Sequence, residues 1–90
     1  MGHSKINWDK TTEGKFEQLL GKIPVFLRGI AKEKVLQKID KLVSEGNRSV
    51  IGERELVDAF FAATPFGFHG PMKNDMEEFG IDYTKYGYPK

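Results

Sequence analysis

WDKTTEGKFEQLLGKIPVFLR, Trp8 to Arg28, decides how the rest of the chain is read. Asp9 is placed to cap free amide groups and Gly21 to stop the chain, so a first helix is predicted from about Lys10 to Leu20. Its apolar stripe is Phe16, Leu19 and Leu20, at the i, i+3, i+4 spacing of one helical face. Pro24 suits a first helical position, where its missing N–H would be unpaired anyway, and a second, longer helix is predicted from Pro24 to Glu45. Leu27, Ala31, Val35, Ile39 and Leu42 run along it, widened by Ile30 and Val43, which makes it the expected centre of the core. Gly29 is placed to bend or break its first turn, and Gly46-Asn47 to end it.

Beyond the turn at Gly46 to Ser49, Val50-Ile51 reads as a short extended segment and Gly52 opens a third helix, Glu53 to Ala63. Glu55 favours its positive end. Leu56, Val57, Phe60 and Phe61 are its buried pairs, and Thr64-Pro65 stops it, because proline biases the preceding residue away from helical geometry. The last stretch, FGFHGPMKNDMEEFGIDYTKYGYPK, reads as a loop, a short helix from Pro71 to Phe79 closed by Gly80, and an irregular tail. Met72, Met76 and Phe79 form its apolar stripe. The expected fold is all-α: a small bundle of three core helices, a short fourth helix and an aromatic-rich C-terminal tail. The chain divides into a helical domain, 1–64, and a loop, short helix and tail, 65–90, packed on it.

Ninety residues bound the molecule to one compact domain with little room for an enclosed active site. Apolar content of 39% beside 30% charged residues fits a globular chain, and no apolar run approaches the ~20 residues that span a bilayer. The first ten residues hold no apolar core of the kind a secretory signal needs, so cytoplasmic residence is expected. With no cysteine, thiolate nucleophiles, disulfides and cysteine-ligated metal centres are excluded. Net charge is +1, unevenly spread: residues 1–52 hold 10 Lys/Arg against 6 Asp/Glu, and residues 53–90 hold 4 against 7. That polarity favours self-complementary packing or a polarised binding face over general nucleic-acid affinity.

The order Trp8, then Pro24, Phe26, Leu27 and Arg28, a basic helix Ala31 to Glu45 closing at Gly46, Val50-Ile51, and a helix Glu53 to Ala63 resembles one known family. It is similar to the C-terminal domain of the B subunit of light-independent protochlorophyllide reductase, over about two thirds of the chain. Leu36 stands where that family has an acidic residue, and Gly52 where it has a threonine cap. The resemblance implies a helical accessory fold tied to an oxidoreductase of chlorophyll biosynthesis. It places no cluster ligand or proton donor on this chain, so no catalytic, cofactor-binding or metal-binding residue is assigned.

Candidate partner-binding residues are Arg28, Lys34, Lys38, Lys41, Phe66, Phe68, Met72, Met76, Tyr83 and Tyr86. Arg28 has the fork to clamp a carboxylate or phosphate, against pairing with an acidic neighbour or capping carbonyls at the IPVFLR corner. Trp8 and Phe26 are expected to anchor the core, against stacking on a planar ligand. Lys34, Lys38 and Lys41 make a basic stripe, interrupted by Glu33, Asp40 and Glu45, that suits an acidic partner or a phosphate backbone but reads more simply as a solvated face. His3 and His69 sit at opposite ends without metal-ligand spacing, and the GNRS turn lacks the spacing of a phosphate loop. The aromatic and methionine residues of the tail either lid the core or present a surface for a protein partner.

Three functions follow as expectations. The first is a non-catalytic accessory or protein-binding module. The second, which the resemblance implies, is a subunit or remnant of a tetrapyrrole-reducing, nitrogenase-like oxidoreductase with a redox or tetrapyrrole-pathway partner. The third is a weak nucleic-acid-binding helical domain, against which the near-neutral charge argues. No cofactor and no membrane span are expected.

Overall fold

The computed structural model describes residues 7–46 and 50–90. His3 and Asn47 to Ser49 of the expected turn lie outside the described residues. The elements are β1 (Asn7–Trp8), α1 (Lys10–Gly21), α2 (Val25–Gly46), β2 (Val50–Ile51), α3 (Glu53–Ala63), a 3-10 turn at Phe66–Phe68, α4 (His69–Glu78) and a second 3-10 turn at Tyr83–Tyr86. This is a small all-α fold with four helices and little strand.

Capping chemistry sets the helix ends. The Asp9 carboxylate accepts hydrogen bonds from the Thr12 amide at 3.0 Å and the Thr12 hydroxyl at 2.9 Å, satisfying a free donor at the start of α1. At α3, the Gly52 amide donates to the Glu55 carboxylate at 2.9 Å. This is the reciprocal half of a capping box, and it works with a glycine where the family resemblance expected threonine. Thr64-Pro65 ends α3, with the Thr64 amide donating to the Phe60 carbonyl.

Two expectations at proline and glycine are corrected. Helix α4 begins at His69, two residues before Pro71, because any of the first helical amides can be missing without loss, and the 3-10 turn at Phe66–Phe68 runs straight into it. Helix α2 continues across Gly29 without interruption. The close of α4 is a Schellman motif around Gly80 at φ 74°: the Ile81 amide donates to the Met76 carbonyl and the Gly80 amide to the Glu77 carbonyl. Ile81 and Met76, which this turn brings together, are both buried.

β1 and β2 pair in parallel, Asn7 with Val50 and Trp8 with Ile51, and the Asp9 amide extends the ladder to the Ile51 carbonyl. That pairing holds half-buried Trp8 flat against Phe16, ring centroids 5.1 Å apart, and Phe16 in turn meets the Phe60 edge. The core lies between α1, α2 and α3, from Phe16, Leu19 and Leu20 through Val35 and Ile39 to Leu56, Val57 and Phe60.

The tail is ordered onto this core. Ile81 and Tyr83 are buried, the Tyr83 hydroxyl donates to Glu77 at 2.8 Å, and Tyr88 stacks on Phe61 at 3.9 Å while its hydroxyl donates to Asp58 at 2.6 Å. Burial, then the hydrogen bond to the Asp58 carboxylate, pushes the Tyr88 phenol up to about 12. Tyr83 and Tyr86 are also raised, each chiefly by burial.

Phenols raised in the folded state give stability that is complete below the unfolded pKa near ~10 and is lost as pH climbs through the folded values. Urea titrations are therefore expected to show stability level up to about pH 10 and falling towards 12, with a shallower fall in Tyr88→Phe. An equally steep fall in Tyr88→Phe would remove this account. Gly80→Ala is expected to lose about 1 kcal/mol, because alanine resists positive φ. Gly29→Ala, with open space at its Cβ inside α2, is expected to gain roughly 0.5–1 kcal/mol, both read from urea midpoints at unchanged slope.

Candidate functional site: an uncovered groove beside α2

The turn between α1 and α2 is built on one side chain. Arg28 donates from Nε to the Leu20 carbonyl at 2.9 Å and from Nη2 to the carbonyls of Ile23 at 2.9 Å and Gly21 at 3.3 Å. It thus supplies partners and positive charge to the C-terminal end of α1, whose last carbonyls have none within the helix. The guanidinium is occupied inside the chain, as a cap of the IPVFLR corner.

This anchoring dictates the first turns of α2. At about 100° per residue, Phe26 lies roughly 200° around the helix from Arg28, so pinning Arg28 to α1 swings Phe26 away from the core. Phe26 is 81% exposed, which overturns the expectation that it anchors the core. Val25, Leu27 and Ile30 are exposed with it. Length adds to the effect: the 22 residues of α2 span about 33 Å, whereas the 11 of α3 span about 16 Å. Of the expected α2 stripe, Val35 and Ile39 are buried and Ala31, Leu42 and Val43 are half-buried, while its N-terminal members stay open.

A groove of about 550 Å³ runs beside these uncovered turns. One wall is Leu27, Ile30, Ala31 and Lys34 of α2; the other is Pro65, Phe68, Pro71, Met72 and Asp75. Leu19, Val35, Phe60 and Ala63 line its base, and Lys22, Ile23 and Pro24 one end. On that rim Phe68 is 64% exposed, and Phe66, two residues before it, is 88% exposed. The His69 ring fixes that rim: Nε2 lies 2.8 Å from the Thr64 carbonyl, which can only accept, so the hydrogen sits on Nε2. The same ring packs edge-on to Phe61 and tilts against Phe66.

The candidate partner-binding residues therefore separate into two groups. Phe66 and Phe68 face outwards, and Lys34, Lys38 and Lys41 are exposed along α2. Met72, Met76 and Tyr83 are buried and Tyr86 is half-buried, so they hold the tail on the core. Sequence reasoning missed Val25, Phe26, Leu27 and Ile30 as surface residues; the mismatch in length between the second and third helices was the available signal. At the far end of the groove Lys22 pairs with Glu78 at 2.8 Å and lies near Phe79. The hydrogen bond to Glu78, opposed by desolvation, raises the Lys22 ammonium.

A second groove, about 580 Å³, lies on the opposite flank of α2 between Trp8, Leu36 and Ile51, with Glu13, Glu17, Glu33, Asp40 and Lys32 around it. Among the described residues no three histidine or carboxylate side chains are grouped to hold a metal ion. None of the helices there is long and apolar enough to cross a membrane.

Fold and groove together define a small all-α domain with an uncovered apolar face. The chain belongs to the DUF2621 family, described as proteins of unknown function, whose model matches residues 1–88. No curated protein and no solved structure matches it. The family match corrects the resemblance to the protochlorophyllide reductase domain: it takes in nearly the whole chain, where the resemblance covered about two thirds. The link to chlorophyll biosynthesis has no support.

Arg28→Ala is expected to destabilise the domain by about 2 kcal/mol in urea unfolding, because charge-assisted hydrogen bonds are lost at partly buried carbonyls. Arg28→Lys should recover less than half of that, since an ammonium lacks the fork that reaches three carbonyls. Full recovery by lysine would show that charge alone, without the fork, holds the corner.

Proposed function

We propose that this chain is a non-catalytic protein-docking module and that the α2 groove is its docking surface. The observation that carries this reading is the exposure of Leu27, Ile30 and Phe68 on the walls of one preformed apolar groove, with exposed Phe26 and Phe66 close to them in the chain. Single exposed apolar side chains are common and mean little, but several large ones converging on a concavity are the usual mark of an interaction site. The rim is rigid, being tied by Arg28 on one side and His69 on the other, so a partner would not have to pay for ordering it. The reading takes the groove to receive apolar side chains of a folded or helical partner, with the lysines at its margin steering the approach.

The reading is tested by photo-crosslinking in the cells that make the protein. A photoreactive side chain at position 30 or 68 should yield discrete protein adducts, and one at position 17, on the opposite flank, should not. Phe68→Glu placed beside the position 30 probe should abolish the adduct while changing stability by no more than about 0.5 kcal/mol, as expected for an exposed site. Adducts of equal yield from all three positions, or from none, would overturn the docking assignment.

A further inference from the structure

We infer that the occupant of the α2 groove is a second copy of this chain, related by a two-fold axis that lies in the interface and runs along the groove. This rests on the docking reading above and specifies its partner.

The exposed apolar area is large for a chain of this size. Phe26, Phe66 and Phe68 are 81%, 88% and 64% exposed. At about 200 Å² per phenylalanine they alone leave on the order of 450 Å² in water. Val25, Leu27 and Ile30 enlarge the face further. Phe68, Leu27 and Ile30 lie on the groove walls, and the exposed apolar area is of the size of the largest patch on a monomer, roughly 300–600 Å², which is often a functional one.

Charge is divided between the two walls of the groove. Lys34 lines the α2 wall, and Lys38 and Lys41 continue along the same flank, at helical spacing from Leu27. The opposite side carries Asp75, with the Glu78 and Lys22 pair beside it: two carboxylates against one ammonium. One side is basic and the other net acidic. A two-fold axis lying in the interface along the groove lays each wall over the opposite wall of the other copy, so Lys34 meets the partner's Asp75 twice. A surface of uniform negative charge, such as an acidic helix or an anionic bilayer, would gain at the lysines and lose at Asp75 and Glu78. The self-complementary arrangement loses nowhere, and it closes, leaving no apolar face to propagate.

Sedimentation equilibrium of the full chain tests this. The native protein should dimerise, and Ile30→Glu should weaken the dimer by at least about tenfold, since a carboxylate is then buried in the apolar contact. Lys34→Glu and Asp75→Lys should each weaken it about tenfold, through like charges opposed at both symmetric contacts. An equimolar mixture of those two variants should associate to within about threefold of native, because both contacts are then opposite in sign, and that rescue excludes misfolding as the cause. A native chain that stays monomeric to about 1 mM overturns the second copy. So does a dimer indifferent to Ile30→Glu, or a monomer that binds anionic vesicles through Phe26 and Phe68. In each case the crosslinking result decides separately whether the groove docks any protein.

Discussion

The Arg28 clamp is the constraint on which the architecture turns. The last carbonyls of a helix have no partners within it, and here one guanidinium reaches two of them, Leu20 and Gly21, and the Ile23 carbonyl of the connection as well. That contact fixes where α1 ends, the angle at which α2 leaves, and the rotation of α2 about its own axis. The rotation places Val35 and Ile39 against α3, and it places Phe26 in solvent. Core and exposed face are therefore two results of one interaction. Replacing the turn by a looser one would free α2 to rotate and hide its apolar first turns.

Around that corner the domain is tied by short, specific contacts more than by a large core. The β1 and β2 pair is only two residues long on each side, yet it brings the stretch before α1 onto the stretch before α3 and so aligns the Trp8, Phe16 and Phe60 rings. The C-terminal tail adds a second tie from the opposite side, with Tyr83 and Tyr88 held by carboxylates at Glu77 and Asp58. In a chain this small, sealing the core with tail aromatics compensates for the limited surface that three helices can bury. The same tail leaves the Phe66 and Phe68 rim uncovered, because the Schellman turn at Gly80 sends the chain back towards Phe61 and away from the groove.

Much of the fold was legible in the chain because local signals agree with tertiary packing. Helix α3 runs from Glu53 to Ala63 as predicted, since its start and its stop are both written locally, in Gly52 with Glu55 and in Thr64-Pro65. Helix α2 differs from its predicted bounds by one residue at each end. Pro71 misled because a proline marks the first turn of a helix without marking its first residue. Gly29 misled because one glycine weakens a helix by only about 1 kcal/mol, too little to interrupt a helix of 22 residues. The parallel pairing of Asn7–Trp8 was invisible: two residues carry no periodicity, and their partner lies more than forty positions away.

The sequence by itself determined the helices, their caps, the apolar stripe of α2 and the role open to Arg28 as a cap, because these depend on residues within a few turns of one another. Only the tertiary structure decided which part of that stripe is covered. Periodicity marks Leu27, Ile30, Val35 and Ile39 alike, since all are apolar and correctly spaced. What separates them is the reach of a helix half as long, stopped by Thr64-Pro65, and the side chain that fixes rotation at the corner. The same holds for the tail, where composition sets Phe66, Phe68, Met72, Met76 and Tyr83 together. Folding divides them, burying the last three and leaving two phenylalanines at the edge of a groove.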